Sequence, residues 1–264
     1  MNKTQLGVAL FLSCTAAFAQ EIVTIPTRSG VTQSFFVADM GPKKAEAIAL
    51  MYIGGGGNIR LRMEDGRPKF GEQNFLPRSR REFVRNGILP VIMDAPSDQQ
   101  GRLGMSDQYR WSKDQTEDAR AVLAELKKRF PGLPIFVVST SRSTLTAASL
   151  GRALGDEVAG TVLTSSMAAV GRGGYSSLSG FNFGALKAPV LFAHHRADGC
   201  EATPYFLAAR LAGSHPLISV KGGTPPESGP CDPFAPHGYF GKEAETVDAI
   251  TAWMLKKPFA KEIE

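Results

Sequence analysis

Pro134-Ile135-Phe136-Val137-Val138-Ser139-Thr140-Ser141-Arg142-Ser143-Thr144 sets an apolar, β-branched run directly against small polar residues, and Leu145 to Leu154 follows as an Ala- and Leu-rich helix former. Strand, sharp turn, helix is the local context of a nucleophile elbow. Such a turn needs small residues two places before and two places after its central side chain. Here they are Ser139 and Ser143, around Ser141. The usual elbow reads G-x-S-x-G; this chain reads S-x-S-x-S, and serine tolerates strained dihedrals less well than glycine. An ordinary strand-to-helix loop with a Ser or Thr N-cap is the competing reading.

Strands and helices alternate on either side of this stretch. Ile22 to Ile25 and Val31 to Ala38, joined by Ser29-Gly30, read as an antiparallel hairpin. Ala47 to Ile53 is a continuous apolar run, the mark of a strand buried on both faces, and it ends in Gly54-Gly55-Gly56-Gly57-Asn58. Arg60 to Arg81 is polar and basic with interspersed Gly and Pro and reads as a long surface loop; Arg78 to Asn86 reads as a helix stopped by Gly87. Ile88 to Met93 is the next strand, ending at Asp94. Trp111 to Phe130 is a helix that Asp114 can cap, with Ala119, Val122, Leu123 and Leu126 at helical spacing. Beyond the Ser141 elbow, strands are expected at Val158 to Leu163, Pro189 to Ala193 and Leu217 to Val220, with helices at Pro204 to Leu211 and Glu243 to Leu255. Gly171 to Gly184 is a Gly/Ser loop carrying Tyr175, Phe181 and Phe183, and Gly222 to Gly238 is a long Pro- and Gly-rich loop. This order predicts a single α/β domain with a mostly parallel sheet covered by helices on both faces.

The chain has 264 residues, 43% of them hydrophobic, enough for one sizeable core. Residues 1–19 read as a secretory signal: Lys3, an apolar Leu6 to Leu12, and Ala17-Phe18-Ala19 before Gln20. The mature domain is then 20–264, periplasmic or secreted, with no later membrane-spanning segment. The net charge is +5, and removing Lys3 and no acid leaves +4, a mild excess. The Arg78-Ser79-Arg80-Arg81 run, with Arg85, reads as a solvated helix face rather than a nucleic-acid patch, since no aromatic residues interleave it. Cys14 would suit a lipoprotein, but Phe11-Leu12-Ser13 before it is a poor lipobox, and with cleavage after Ala19 it leaves with the signal. Cys200 and Cys231 remain, an even pair in an exported protein, where a disulfide persists. Closing a loop of about 30 residues is worth roughly 3–4 kcal/mol in the chain-entropy picture. Two free buried cysteines are the alternative, and their spacing is not that of metal ligands.

In open parallel sheets, sites gather at the carboxyl ends of the strands. Those ends carry the four-glycine run, Asp94, Ser141, Ser165-Ser166, Asp198 and the loop with His237. The order Ser, Asp, His, with the serine on an elbow, glycines after an early strand, and His237-Gly238 before the last helix, resembles the α/β-hydrolase family over nearly all the mature chain. The resemblance implies Ser141 as nucleophile, His237 as general base and acid, and Asp198 as the acid that orients it. Glu201 and Asp232 compete with Asp198 for that place, but Asp232 lies in the His237 loop itself. His194 and His195 read as packing or supporting residues, His215 as solvated, and Asp94 as turn chemistry. The oxyanion hole falls to the backbone N–H of Arg142 and one from Gly55 or Gly56; a plain flexible glycine loop is the alternative. A Cys200–Cys231 bridge would tether the acid loop to the base loop.

The expected activity is cleavage of a small carboxylic ester through an acyl-enzyme on Ser141, with no cofactor or metal required. A thioesterase, amidase, peptidase or acyltransferase would use the same triad. A non-catalytic binding protein on this fold is the reading of another class. With few residues between Leu163 and Pro189, the cap is minimal, and Tyr175, Phe181 and Phe183 are expected either to wall an open site or to pack beneath the loop.

Overall fold

The computed structural model describes residues 20–71, 73–171 and 174–264; the signal-peptide reading lies outside them. In chain order the elements are β1 (Glu21–Arg28), β2 (Val31–Val37), β3 (Ala47–Tyr52), β4 (Arg62–Glu64), β5 (Arg67–Lys69), α1 (Phe75–Arg78), α2 (Arg80–Arg85), β6 (Ile88–Met93), α3 (Asp107–Arg110), α4 (Lys113–Arg129), β7 (Ile135–Thr140), α5 (Thr144–Leu154), β8 (Gly160–Thr164), β9 (Val190–His195), α6 (Tyr205–Ala212), β10 (Leu217–Val220), α7 (Glu243–Met254) and β11 (Glu262–Ile263).

The main sheet runs β1-β2-β6-β3-β7-β8-β9-β10-β11. The β1–β2 and β2–β6 pairings are antiparallel and the rest are parallel. Strand β3 is buried along its whole length, as its unbroken apolar run requires. Its side chains divide by alternation. Ala47, Ala49 and Met51 join one core with Phe83, Val247, Ile250 and Met254. Ile48, Leu50 and Tyr52 join a second with Val122, Leu123, Leu126, Ala147 and Leu150. Helices α2 and α7 therefore cover one face, and α4 and α5 the other. Each fully buried Leu, Ile, Phe or Met is worth about 1.5–3 kcal/mol, so this double layer fixes strand order and register.

Local chemistry refines several boundaries. Ser112, not Asp114, caps α4: its side chain accepts the Gln115 N–H, and α3 precedes it as a separate short turn. The expected Arg60–Arg81 loop contains the exposed β4–β5 hairpin, turning at Asp65-Gly66 with φ of 50° and 70°. Asp-Gly is a strong hairpin signal, which the reading of this segment as a plain loop passed over. The Arg78–Asn86 helix is broken at Ser79 into α1 and α2. The closing β11 pairs in parallel with β10. No described helix is long and apolar enough to cross a membrane.

Candidate active site

The parallel registers bring the strand ends level. Tyr52 pairs with Ser139, so two residues on, Gly54 stands opposite Ser141. A Cβ on Gly54 would lie 3.0 Å from Ser141 Cβ, tighter than ordinary contact. Glycine is needed at 54 to admit the serine.

Ser141 sits at the end of β7 with φ +54°, left-handed backbone that a non-glycine residue adopts only where the surroundings enforce it. The two serines in place of the usual elbow glycines are both committed. Ser139 Oγ donates to Val162 O at 3.1 Å. Ser143 Oγ donates to Ile53 O, tying the elbow to the strand before the glycine run. Arg110, fully buried, reaches beneath both segments: Nη1 donates to Ser143 Oγ at 2.7 Å and Thr146 Oγ1 at 3.0 Å, and Nη2 to Gly55 O at 2.8 Å. Burial and the nearby Arg142 charge lower its pKa to about 9. The C=O and following N–H of a trans peptide point opposite ways. The Arg110–Gly55 bond thus turns the Gly56 N–H away from Arg110. The Gly56 carbonyl accepts from Met105 N–H at 2.8 Å. A Cβ on Gly56 would meet Leu103 O at 2.8 Å. The glycine run is a pinned loop, not a floppy one.

Arg142 follows Ser141, and its side chain is anchored. Its Nε donates to Asp107 Oδ1 at 2.8 Å and its guanidinium lies 4.2 Å over the Tyr175 ring. Burial acts to raise the Asp107 carboxyl, but the Ser176 N–H and Arg142 outweigh it and hold it below its ordinary value.

The second half of the site lies across β8 and β9. Asp198 follows β9, and its side chain is fully covered. Its Oδ1 accepts the Cys200 N–H at 3.0 Å and its Oδ2 the Thr203 hydroxyl at 2.8 Å. His237 Nδ1 lies 3.1 Å from both Asp198 Oδ2 and Thr203 Oγ1. Thr203 gives its proton to the carboxylate, so its oxygen is free to accept; Nδ1–H is then the shared donor, leaving Nε2 as the acceptor. The His237 turn is braced from below. Tyr239, fully buried, donates to Ala193 O at 2.6 Å and accepts the Ser165 N–H at 3.1 Å, and Ser165 Oγ donates to His237 O at 2.8 Å. Gly238 packs so closely on Pro233 that a Cβ would fall 1.9 Å from the Pro233 carbonyl oxygen. Cys200 and Cys231 form a disulfide with Cα atoms 4.6 Å apart, joining the Asp198 loop to the His237 loop.

Ser141 and His237 line one cavity of about 230 Å³ with Ile53, Gly54, Gly55, Asn74, Phe75, Asp232 and Pro233. Among the described residues no hydrogen bond joins the Ser141 hydroxyl to His237. Of the carboxylates considered for this place, Asp198 is the one that meets the imidazole, at 3.1 Å. Gly56 is not among the lining residues. Nor are Phe181 and Phe183, which pack beneath the loop with Trp111, Leu178 and Phe192. Among the described residues the cap region holds a short turn at Phe183–Ala185 and an isolated bridge between Gly171 and Tyr175. Three larger surface depressions elsewhere are lined by other residues.

Asp94 is structural: its carboxylate accepts the N–H groups of Ile59, Leu61 and Ala95 at 2.8–2.9 Å. His194 is fully buried, its Nε2 accepting the Ser166 N–H at 2.6 Å, and burial lowers its pKa to about 4. His215 is only part-buried, near Phe183 and Phe192. Arg78, expected on a solvated face, instead turns inward. It donates to Gln73 O, to Gly238 O at 2.8 Å and to Glu243 Oε1 at 2.8 Å, while Arg81 is exposed. Thr203, Arg110, Tyr239 and Arg78 carried no motif; only their burial and bonding mark them. Among the described residues no group of three His, Cys, Asp or Glu is arranged to hold a metal ion.

The sequence matches no protein-family model, and no curated protein is significantly similar to it. Solved structures are similar. An α/β serine hydrolase without a lid, XC6422 from Xanthomonas campestris, superposes with a TM-score of 0.56 at 14% identity, covering 94% of this chain and 97% of that one. The chain has the α/β-hydrolase fold. Est1E from Butyrivibrio proteoclasticus shares that fold with a TM-score of 0.58, 14% identity, and coverage of 89% and 98%. A soluble variant of the Saccharomyces cerevisiae monoglyceride lipase, in complex with a substrate analogue, does so at 0.61, 12% identity, and coverage of 94% and 99%. At these identities the likeness carries the α/β-hydrolase architecture; the chemistry must come from the residues themselves.

Proposed function

We propose that this protein is an exported serine hydrolase that cleaves a carboxylic ester through an acyl-enzyme on Ser141. The observation that carries the reading is the shared cavity: Ser141, held at φ +54° on its elbow, and His237, held at Nδ1 by Asp198, open into the same small space. His237 Nε2 takes the Ser141 proton as Oγ attacks the carbonyl carbon. The C=O π electrons move to oxygen, giving a tetrahedral oxyanion. Collapse re-forms the carbonyl and expels the alkoxide, which leaves with the proton from His237. Water then attacks the acyl-enzyme with His237 again as base, releasing the carboxylic acid and restoring Ser141. Asp198 keeps Nδ1 protonated and stabilises the imidazolium. The N–H of Arg142, with that of Gly55 or Gly56, receives the oxyanion. Nucleophile–base hydrogen bonds are often loose in free enzymes and tighten with substrate.

The cavity, at about 230 Å³, is smaller than the roughly 300–1,000 Å³ of common small-molecule pockets, which favours a short acyl chain. Export rests on the residue 3–19 pattern and the disulfide, which persists in oxidising compartments. The test is pre-steady-state release of p-nitrophenol from acetate, butyrate and octanoate esters, beside Ser141→Ala. The reading expects a burst, fastest with the short chains, and a fall of about 10⁴-fold or more in kcat for the variant at unchanged folding. Bursts only with thioesters or amides would move the substrate class while keeping the triad. No burst and no labelling by a fluorophosphonate, in folded oxidised protein, would favour a non-catalytic binding role.

A further inference from the structure

We propose that Asn74 supplies a side-chain donor to the oxyanion hole, beside the backbone N–H groups. The proposal rests on the reading of Ser141 as the nucleophile. Asn74 lines the Ser141–His237 cavity, immediately before α1. Its nearness to the serine is shown by one vacant point in space. The place a Cβ would occupy on Gly54 lies 3.0 Å from Ser141 Cβ and 3.4 Å from Asn74 Nδ2. The amide nitrogen and the serine side chain therefore border one small volume, and it stays open only because residue 54 is glycine.

The amide's orientation follows from its other end. Asn74 Oδ1 accepts the Leu76 N–H at 3.4 Å, which assigns the oxygen to the helix and leaves Nδ2 on the cavity side. No hydrogen bond of Nδ2 occurs among the described residues, so its N–H groups are uncommitted donors. The segment is also held against the base loop. Arg78 N–H donates to Asn74 O at 3.0 Å, and the Arg78 guanidinium spans from Gln73 O to Gly238 O, next to His237. Asn74 is thus indexed to both halves of the site before substrate arrives. Preorganised donors of this kind act where charge develops, and losing one typically lowers kcat by about 10²–10³-fold.

A purely structural role predicts something different, since Asn74 also caps α1. Asn74→Ser separates the two: serine can still cap the helix, but its hydroxyl is too short to cross to the oxyanion. Asn74→Asp, equal in size and also a cap acceptor, replaces the donor by a carboxylate and guards against an accident of folding in the first variant. Wild type and both variants would be assayed with p-nitrophenyl butyrate and with a trifluoromethyl ketone of the same chain length, whose adduct with Ser141 carries the oxyanion. The expected result is a kcat about 10²-fold lower in Asn74→Ser, with KM within about twofold, and at least as low in Asn74→Asp. Affinity for the trifluoromethyl ketone should fall by a similar factor, while that for the unfluorinated ketone stays put and the melting temperature is retained. The proposal is overturned by an unchanged kcat, by a rise in KM alone, or by activity losses that follow the melting temperature in both variants. Absence of both a burst and fluorophosphonate labelling in folded wild type would instead overturn the underlying reading of Ser141, and this proposal with it.

Discussion

Ser141 and His237 reach one cavity by opposite routes. The serine is delivered by contiguous chain: β7, a one-residue left-handed turn, and α5. Its supports, Ser139 and Ser143, are its own near neighbours. The histidine is delivered by distant pieces. Asp198 and Thr203 come from beyond β9, Ser165 from beyond β8, Arg78 from α1, and the disulfide from Cys200. The serine's constraint is stored in one residue's backbone dihedrals, which Ser139 and Ser143 enforce through their bonds to Val162 and Ile53. A distributed device has no such reservoir, and each lost tie frees the imidazole.

Cutting the disulfide should strike the base half hardest. Cys200→Ser, or reduction, should cost about 3–4 kcal/mol of stability in the chain-entropy picture. Activity at a temperature where the protein remains folded should fall further than that loss explains, while fluorophosphonate labelling, normalised to active wild type, tracks the activity. Activity and melting temperature declining in strict proportion would make the bridge structural only.

Acid should also act on the base half first. Burial holds His194 at a pKa of about 4, below its ordinary value of 6.5, so the folded state keeps it neutral where the unfolded chain protonates it. Between those values the unfolded state binds the extra proton, and stability rises with pH. It is complete above about 6.5 and lost as pH falls toward 4, by about 3 kcal/mol from this group. Urea titrations of wild type and His194→Gln across pH 4–7 would check this: glutamine can still accept the Ser166 N–H but does not titrate, so its slope should be flatter.

A smaller effect is expected at Thr203. Thr203→Val preserves shape but removes the hydroxyl between Asp198 and His237. Losing a hydrogen bond to a charged group costs about 1.5 kcal/mol, or roughly tenfold in kcat. A kcat within twofold of wild type would show that the carboxylate holds the ring unaided. Smallest of all, Ser141→Gly should raise stability by about 1 kcal/mol, because glycine takes φ +54° without strain. Calorimetry showing no gain would deny the stored constraint that distinguishes the elbow from the His237 turn.

Much of the architecture was legible in sequence because β3, β6 and β7 are uninterrupted apolar runs and α4 carries its apolar residues at helical spacing. Most of the hidden parts share one property: they depend on partners far along the chain. Arg78 looked like a member of a basic surface run until α1 turned it toward Gly238 and Glu243. Phe181 and Phe183 looked equally suited to walling the site or packing under a loop, and Trp111 and Phe192 decided it. Strand β11 has only two residues and forms because β10 offers an open edge. The β4–β5 hairpin was missed for a different reason: its charged strands lack the alternation that announces a buried sheet.

What the sequence determined by itself is therefore the alternation of strands and helices and the elbow at Ser141, since these depend on residues within a turn or a strand of one another. The tertiary structure alone decided which carboxylate meets His237, that Thr203 bonds to both, that Arg110 lies buried beneath the glycine run, and that Asn74 borders the cavity with its amide nitrogen. Those relations are set by strand register and by hydrogen bonds across many residues, and no local pattern encodes the distance between groups that meet only when the sheet has closed around them.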